Sequence, residues 1–194
     1  MRKTILCIED ERASATAIQT EFTTRGYAVT LAHDGPGSLA AILRSCPDIV
    51  LCDVRLPIMG GFELRDRLIA LTPLFAAIPF VFVSELEDRG KHIKGRHLDA
   101  DAYVAKPMDW DMLEAVICEC LAKVESARDW SPQIALNDRE VECLTWAVRG
   151  KTSNEIAQII GSIKRSVDFY IEMACRKLKV SMRIRGPVKA VHAM

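Results

Sequence analysis

The residues best equipped for chemistry lie in four short stretches: Glu9-Asp10-Glu11, Asp53, Ser84 and Lys106-Pro107. Carboxylates brought close together repel, and a hard divalent cation wanting oxygen ligands relieves that repulsion. A lysine and a hydroxyl beside such a cation can hold phosphoryl oxygens, where charge must be neutralised. The same residue types also serve as helix N-caps and solvated loop charges, since Asp and Ser favour those positions. Complementary chemistry at the ends of four different strands is more than capping requires.

The elements that must position these groups can be read from the apolar pattern. Short β-branched and apolar runs occur at Thr4–Ile8, Ala28–Leu31, Asp48–Cys52, Pro79–Ser84 and Ala102–Ala105. Most are apolar on both faces, as in Ile49-Val50-Leu51-Cys52 and Phe80-Val81-Phe82-Val83, which suits parallel strands covered on two sides. Between them lie stretches of helical spacing, such as Ala13, Ala17, Ile18, Glu21 and Phe22, and later Met112, Leu113, Val116, Ile117 and Leu121. Five strands alternating with helices predict a doubly wound α/β fold with a five-stranded parallel sheet. In such sheets function sits beyond the carboxyl ends of the strands, where the four stretches fall.

The chain has 194 residues, one large domain or two small ones against a prior of roughly 150 per domain. With 49% apolar and 27% charged residues, it reads as globular rather than disordered or fibrous. No apolar run approaches the roughly 18 residues of a membrane span, and the start has neither the apolar stretch nor the cleavage site of a secretory signal. A cytoplasmic chain with no membrane partner is the expectation. Seven cysteines without any C-x-x-C pair, and four scattered histidines, argue for reduced, buried thiols rather than a disulfide framework or a zinc site. The zero net charge conceals an asymmetry. Residues 1–132 hold 15 basic against 20 acidic residues, and residues 133–194 hold 11 against 6. Opposite signs imply two modules with different partners, and the basic one invites a nucleic-acid hypothesis.

The run Ile5-Leu6-Cys7-Ile8-Glu9-Asp10-Glu11, followed by Asp48-Ile49-Val50-Leu51-Cys52-Asp53-Val54-Arg55-Leu56-Pro57-Ile58-Met59-Gly60-Gly61, closely resembles the receiver domain of two-component response regulators. Val83-Ser84 and Ala102-Tyr103-Val104-Ala105-Lys106-Pro107 complete the resemblance, which covers residues 1–123. It implies a flavodoxin-like fold. It also implies that Asp53 is the phosphoacceptor, attacking the phosphohistidine of a sensor histidine kinase. By the same resemblance Mg2+ is held by Asp10, Asp53 and the backbone carbonyl of Arg55, with Glu9 acting through water. Ser84 and Lys106 hold the phosphoryl oxygens, and Tyr103 swings with Ser84 as a switch. The chemistry agrees, because a carboxylate is a poor nucleophile and needs an in-line donor and a neutralising metal. Gly60-Gly61 offers backbone freedom for the turn into the next helix, and Lys106-Pro107 is a candidate cis peptide.

One stretch departs from the family. Residues 85–99, where a fourth helix belongs, contain Gly90 and Gly95, which cost about 1 kcal/mol each relative to alanine. A basic solvated face and a mobile switch helix are equally open readings there. Residues 124–133 mix charge, Ser and Pro and read as the end of a helix plus a linker, with Trp130 packed against one domain.

Residues 134–194 are helical throughout. Asn137 with Glu140 forms a capping-box-like start, and Val141, Leu144, Trp146, Ala147 and Val148 supply an apolar face ending at Gly150. Ser153–Gly161 is a second, short helix closed by glycine. Ser162 can cap a third, carrying Val167, Ile171, Ala174 and Leu178. The pattern is a helix-turn-helix candidate. It resembles the LuxR-type (NarL/FixJ) output domain through Leu136–Glu140, Gly150–Ala157, Ser166-Val167 and Arg176–Ser181 with Arg183. Tyr170 stands where that family has His, and the final helix, tied there to dimerisation, would begin at Pro187.

The resemblance implies DNA contacts from Lys164, Arg165, Ser166, Asp168, Phe169, Glu172, Arg176 and Lys177, with Lys151 as a further phosphate contact. Acids at 168 and 172 would face a polyanion, so attraction must come from the flanking bases. The whole reads as a non-enzymatic response regulator, taking a phosphoryl group on Asp53 and thereby altering promoter-DNA binding and transcription as a homodimer. The alternatives are a helical domain that docks a protein instead of DNA, and a Mg2+ phosphatase with an aspartyl intermediate. The latter is disfavoured because phosphatases of the dehalogenase type need a D-x-D pair that Glu9-Asp10-Glu11 lacks.

Overall fold

A computed structural model describes residues 2–71, 75, 77–85, 102–127 and 136–178. The chain forms two compact units, Met1–Pro132 and Gln133–Met194.

The first unit is built on β1 (Thr4–Ile8), β2 (Ala28–Ala32), β3 (Ile49–Asp53), β4 (Phe80–Glu85) and β5 (Ala102–Lys106). The strands pair in parallel in the order β2-β1-β3-β4-β5, the flavodoxin-like arrangement. Helices α1 (Arg12–Thr24), α2 (Gly35–Ser45), α3 (Gly61–Leu71) and α4 (Trp110–Ala127) complete the described elements. Alternation along the strands divides the core in two. Ile5, Cys7, Ile49, Leu51, Val81 and Val104 pack with Ile18 and Phe22 of α1 and with Leu113, Ile117, Cys120 and Leu121 of α4. Leu6, Ile8, Val50, Cys52, Phe80 and Phe82 occupy the opposite face and are fully buried.

Several expectations shift. The inward face of α1 is Ala15, Ile18 and Phe22, whereas Ala13 and Ala17 are exposed. Met112 points outward on α4. Every strand from β2 to β5 runs one residue further than its apolar pattern. Asp53 and Lys106 therefore lie within strands, as Ser84 was expected to, because ladder pairing (Asp53 with Val83, Lys106 with Glu85) holds polar residues as readily as apolar ones. Helix α4 continues to Ala127, within the stretch read as the end of a helix plus a linker. The candidate switch helix at 85–99 lies outside the described residues after Glu85, as do Trp130 and the candidate final helix at Pro187.

The turn after β3 also differs from expectation. Gly60 and Gly61 do not adopt positive φ; that conformation falls on Ile58, at φ 70. The Met59 N–H donates to the Pro57 carbonyl at 2.8 Å, which makes Ile58 the centre of a strained positive-φ γ-turn. Gly61 is there for closeness: a Cβ on it would stand 2.5 Å from the Asp53 carbonyl oxygen and 2.8 Å from Cys52 Sγ. The Lys106-Pro107 peptide is cis.

The second unit has α5 (Asp138–Val148), α6 (Ser153–Ile159) and α7 (Lys164–Lys177), the small helical domain expected from the pattern. Cys143 and Ala147 of α5, Ile156 and Ala157 of α6, and Val167 of α7 form its core. Two reciprocal capping boxes start the first two helices, Asn137 with Glu140 and Thr152 with Glu155. Glu155 is held at about pKa 2 by the Thr152 backbone, Lys151 and the Thr152 hydroxyl. Gly150 and Gly161 take positive φ in the turns. Ser162 does not cap the third helix: its N–H closes α6 on the Ala157 carbonyl at 2.8 Å, and Ile163 stands at the N-cap without a side-chain bond.

Candidate functional site

Parallel pairing brings the carboxyl ends of β1, β3, β4 and β5 to one sheet edge, and with them Glu9, Asp10, Asp53, Ser84 and Lys106. Glu9, Asp53 and Ser84 are buried, Lys106 is half-buried and Asp10 is exposed. The Lys106 ammonium bridges two carboxylates, donating to Asp53 Oδ2 at 2.6 Å and to Glu9 Oε2 at 2.8 Å. The other Asp53 oxygen, Oδ1, accepts from the Arg55 backbone N–H at 2.7 Å. Glu11 turns away, taking a hydrogen bond from the Ser14 hydroxyl in the first turn of α1.

The electrostatics follow from this crowding. Burial, reinforced by the Asp53 charge, raises the Glu9 carboxyl above its ordinary range, and Lys106 only partly offsets it. Burial works against the Lys106 ammonium, yet hydrogen bonds to Asp53 and Glu9 and their charges hold it above its ordinary value. Neighbouring thiols are kept protonated by burial, Cys7 being pushed up to about 12. They offer no competing nucleophile.

Carboxylate oxygens of Glu9, Asp10 and Asp53 lie within 4.8 Å of one another. Three hard oxygen donors balanced by one ammonium leave an excess of negative charge, a typical Mg2+ environment. Beside this edge, the Tyr103 ring packs at 5.5 Å from Phe82 and 6.1 Å from Phe62. Its hydroxyl is buried without a hydrogen-bond partner among the described residues, and burial pushes its pKa up to about 12. The Phe62 contact, the Arg55 N–H and the close fit of Gly61 were not singled out from sequence. Gly-Gly-Phe at the end of the turn that follows the acidic strand is the signal that marks the last of these.

On the second unit, α7 presents Lys164, Arg165, Asp168, Phe169 and Arg176 to solvent, with Ser166 and Glu172 half-buried. Its acids are paired along the helix, Lys164–Asp168 at 3.5 Å and Arg176–Glu172 at 2.7 Å. Lys177 is committed to Glu140, 3% exposed, at 2.8 Å, and Lys151 pairs with Glu155 at 3.1 Å. Phe169 is 56% exposed, its ring 5.9 Å from Tyr170 and edge-on.

This sheet order, with acids and a lysine gathered at its edge, is that of a receiver-type regulatory domain. The chain belongs to the response regulator receiver domain family, whose model matches residues 5–118. Residues 135–186 match the bacterial regulatory proteins of the luxR family, so the receiver is followed by a LuxR-type DNA-binding module. Both families are regulators rather than enzymes. Among relatives, the response regulator PleD of Caulobacter vibrioides is 36% identical over 59% of this chain, which spans a quarter of PleD (25%). The "Probable transcriptional regulator ycf29" of Pyropia yezoensis is 25% identical, with 92% of this chain and 85% of that protein covered. Full-length FixJ from B. japonicum shares the fold at a TM-score of 0.57 and 23% identity, covering 93% of this chain and 92% of that one. Among the described residues no helix is long and apolar enough to cross a membrane.

Proposed function

We propose that this chain is a phosphorylation-controlled transcription regulator: Asp53 accepts a phosphoryl group from a sensor histidine kinase, and DNA binding by the helical unit changes in response. The observation that carries the reading is the setting of the Asp53 carboxylate, with Oδ1 on the Arg55 N–H and Oδ2 on Lys106. An Asp53 oxygen attacks the phosphorus of the donor's phosphoimidazole, the P–N bond breaks, and the imidazole leaves with its electron pair. Lys106, already beside Asp53, meets the incoming phosphoryl oxygens, and the Ser84 hydroxyl on β4 supplies a further donor. Glu9, Asp10 and Asp53, with the Arg55 backbone carbonyl, would hold Mg2+, which neutralises phosphoryl charge when bound. Tyr103 follows Ser84 in the charged state.

In this reading residues 1–123 are the receiver, 124–133 include the linker and 134–194 the output domain. The activated form is a homodimer, and a kinase acting inside the cell places the chain in the cytoplasm. DNA contacts come from Lys164, Arg165, Ser166, Phe169 and Arg176. Asp168 and Glu172 take part through the ion pairs along the same helix, and Lys177 through its pair with Glu140 of α5.

Acetyl phosphate with Mg2+ tests the assignment. Wild type should gain one phosphoryl group by mass spectrometry, EDTA should suppress it, and Asp53→Asn should stay unlabelled. An Asp53→Asn chain that labels like wild type overturns the reading.

A further inference from the structure

We propose that Phe169 reads the C5-methyl group of a thymine in the DNA major groove and is the central base-reading side chain of α7. The inference rests on the DNA-binding reading above. Phe169 stands 56% exposed on a helix whose remaining apolar residues turn inward or are half-covered. Within its own unit this ring gains little by standing in water, since burial is what stabilises an aromatic side chain.

The residues around it narrow the partner. Asp168 and Glu172, the polar candidates for base contact, are engaged by Lys164 and Arg176 on the same helix. Using either on a cytosine amino group requires opening an existing pair. Phe169 needs no such rearrangement. Arg165, one turn earlier on the same face, is exposed and among the described residues has no ion pair, so it can hold a phosphate or a guanine edge beside the ring. An excess of basic residues in 133–194, 11 against 6, favours a polyanion such as DNA over a neutral or basic protein surface. In the major groove the apolar feature that distinguishes one base pair from the others is the thymine methyl.

The test uses the full chain, with and without acetyl phosphate and Mg2+, and sites selected from randomised duplex DNA at low salt. Each thymine of a selected half-site is then replaced by uracil, which differs only in lacking the methyl, and binding is followed by fluorescence anisotropy. One position should weaken wild-type binding about fourfold, the fold-change matching about 0.8 kcal/mol for one buried methyl-sized group. Phe169→Ala should bind the thymine site more weakly and show no thymine–uracil difference there. Phe169→Leu, which keeps an apolar contact, should retain part of the difference and serves as the control for folding. If no position shows a uracil penalty, or Phe169→Ala keeps it, the inference fails while DNA binding stands. If the chain binds no DNA in either state, the DNA arm of the functional reading fails as well, and the face is a protein-docking surface.

Discussion

Replacing Lys106 by methionine keeps an unbranched apolar stem and deletes one charge from the centre of the site. Its ammonium lies 2.6 Å from Asp53 and 2.8 Å from Glu9, whose side chains are 10% and 2% exposed. At an effective dielectric of about 20, each such pair attracts by about 6 kcal/mol, while carboxylates within 4.8 Å of one another repel by about 3.5 kcal/mol or more. Desolvation offsets most of the attraction, and removing one partner of a buried pair leaves a net loss of about 3–5 kcal/mol. Because Lys106 is itself partly exposed, the lower end applies: about 3 kcal/mol at pH 7.5. The loss should depend on pH. Burial, then the Asp53 charge, already hold Glu9 above 4.5, and without the ammonium its carboxyl rises further. A carboxyl raised in the folded state favours folding at low pH, and that contribution is lost as pH rises through the folded value. Lys106 itself is held above its ordinary value and titrates above this window. The deficit should therefore shrink as pH falls and Glu9 takes up a proton. Urea titrations in EDTA, read by hydrogen exchange at the β1 and β3 amides, report this unit separately from the helical one. The double variant Glu9→Gln with Lys106→Met should be nearly flat with pH. An equal deficit at pH 5 and pH 7.5, or none at pH 7.5, refutes the reasoning.

Three further outcomes are expected. Gly61→Ala should cost about 1–3 kcal/mol by overpacking, because its Cβ would meet the Asp53 carbonyl oxygen at 2.5 Å; an unchanged urea midpoint would remove that contact from the account. Ile58→Asn should instead stabilise by about 1 kcal/mol, since Ile58 holds φ 70 while 78% exposed and Asn tolerates that backbone; a lower Tm would contradict it. Glu140→Ala removes half of a capping box and leaves Lys177 without its buried carboxylate, a loss of about 2 kcal/mol for the helical unit, measurable by Trp146 fluorescence during denaturation.

Apolar runs without face alternation already specify parallel, two-sided strands, and parallel strands must end on one edge. Glu9, Asp53, Ser84 and Lys106 could therefore be assembled on that edge from sequence. The capping box at Asn137 was equally legible, because its partner lies three residues away and the geometry is local. Other features needed the tertiary structure. Lys106 meets carboxylates 97 and 53 residues away, and Lys177 meets Glu140 at a separation of 37, so their partners depend on how whole elements pack. The turn after β3 shows the same limit: two glycines suggested where the backbone would bend, but contact with Cys52, Asp53 and Phe82 requires Gly61, and positive φ falls on Ile58. Hydrogen bonding within a turn of helix is written in adjacent residues, whereas charge pairing and close backbone approach are set by distances that only the packed chain defines.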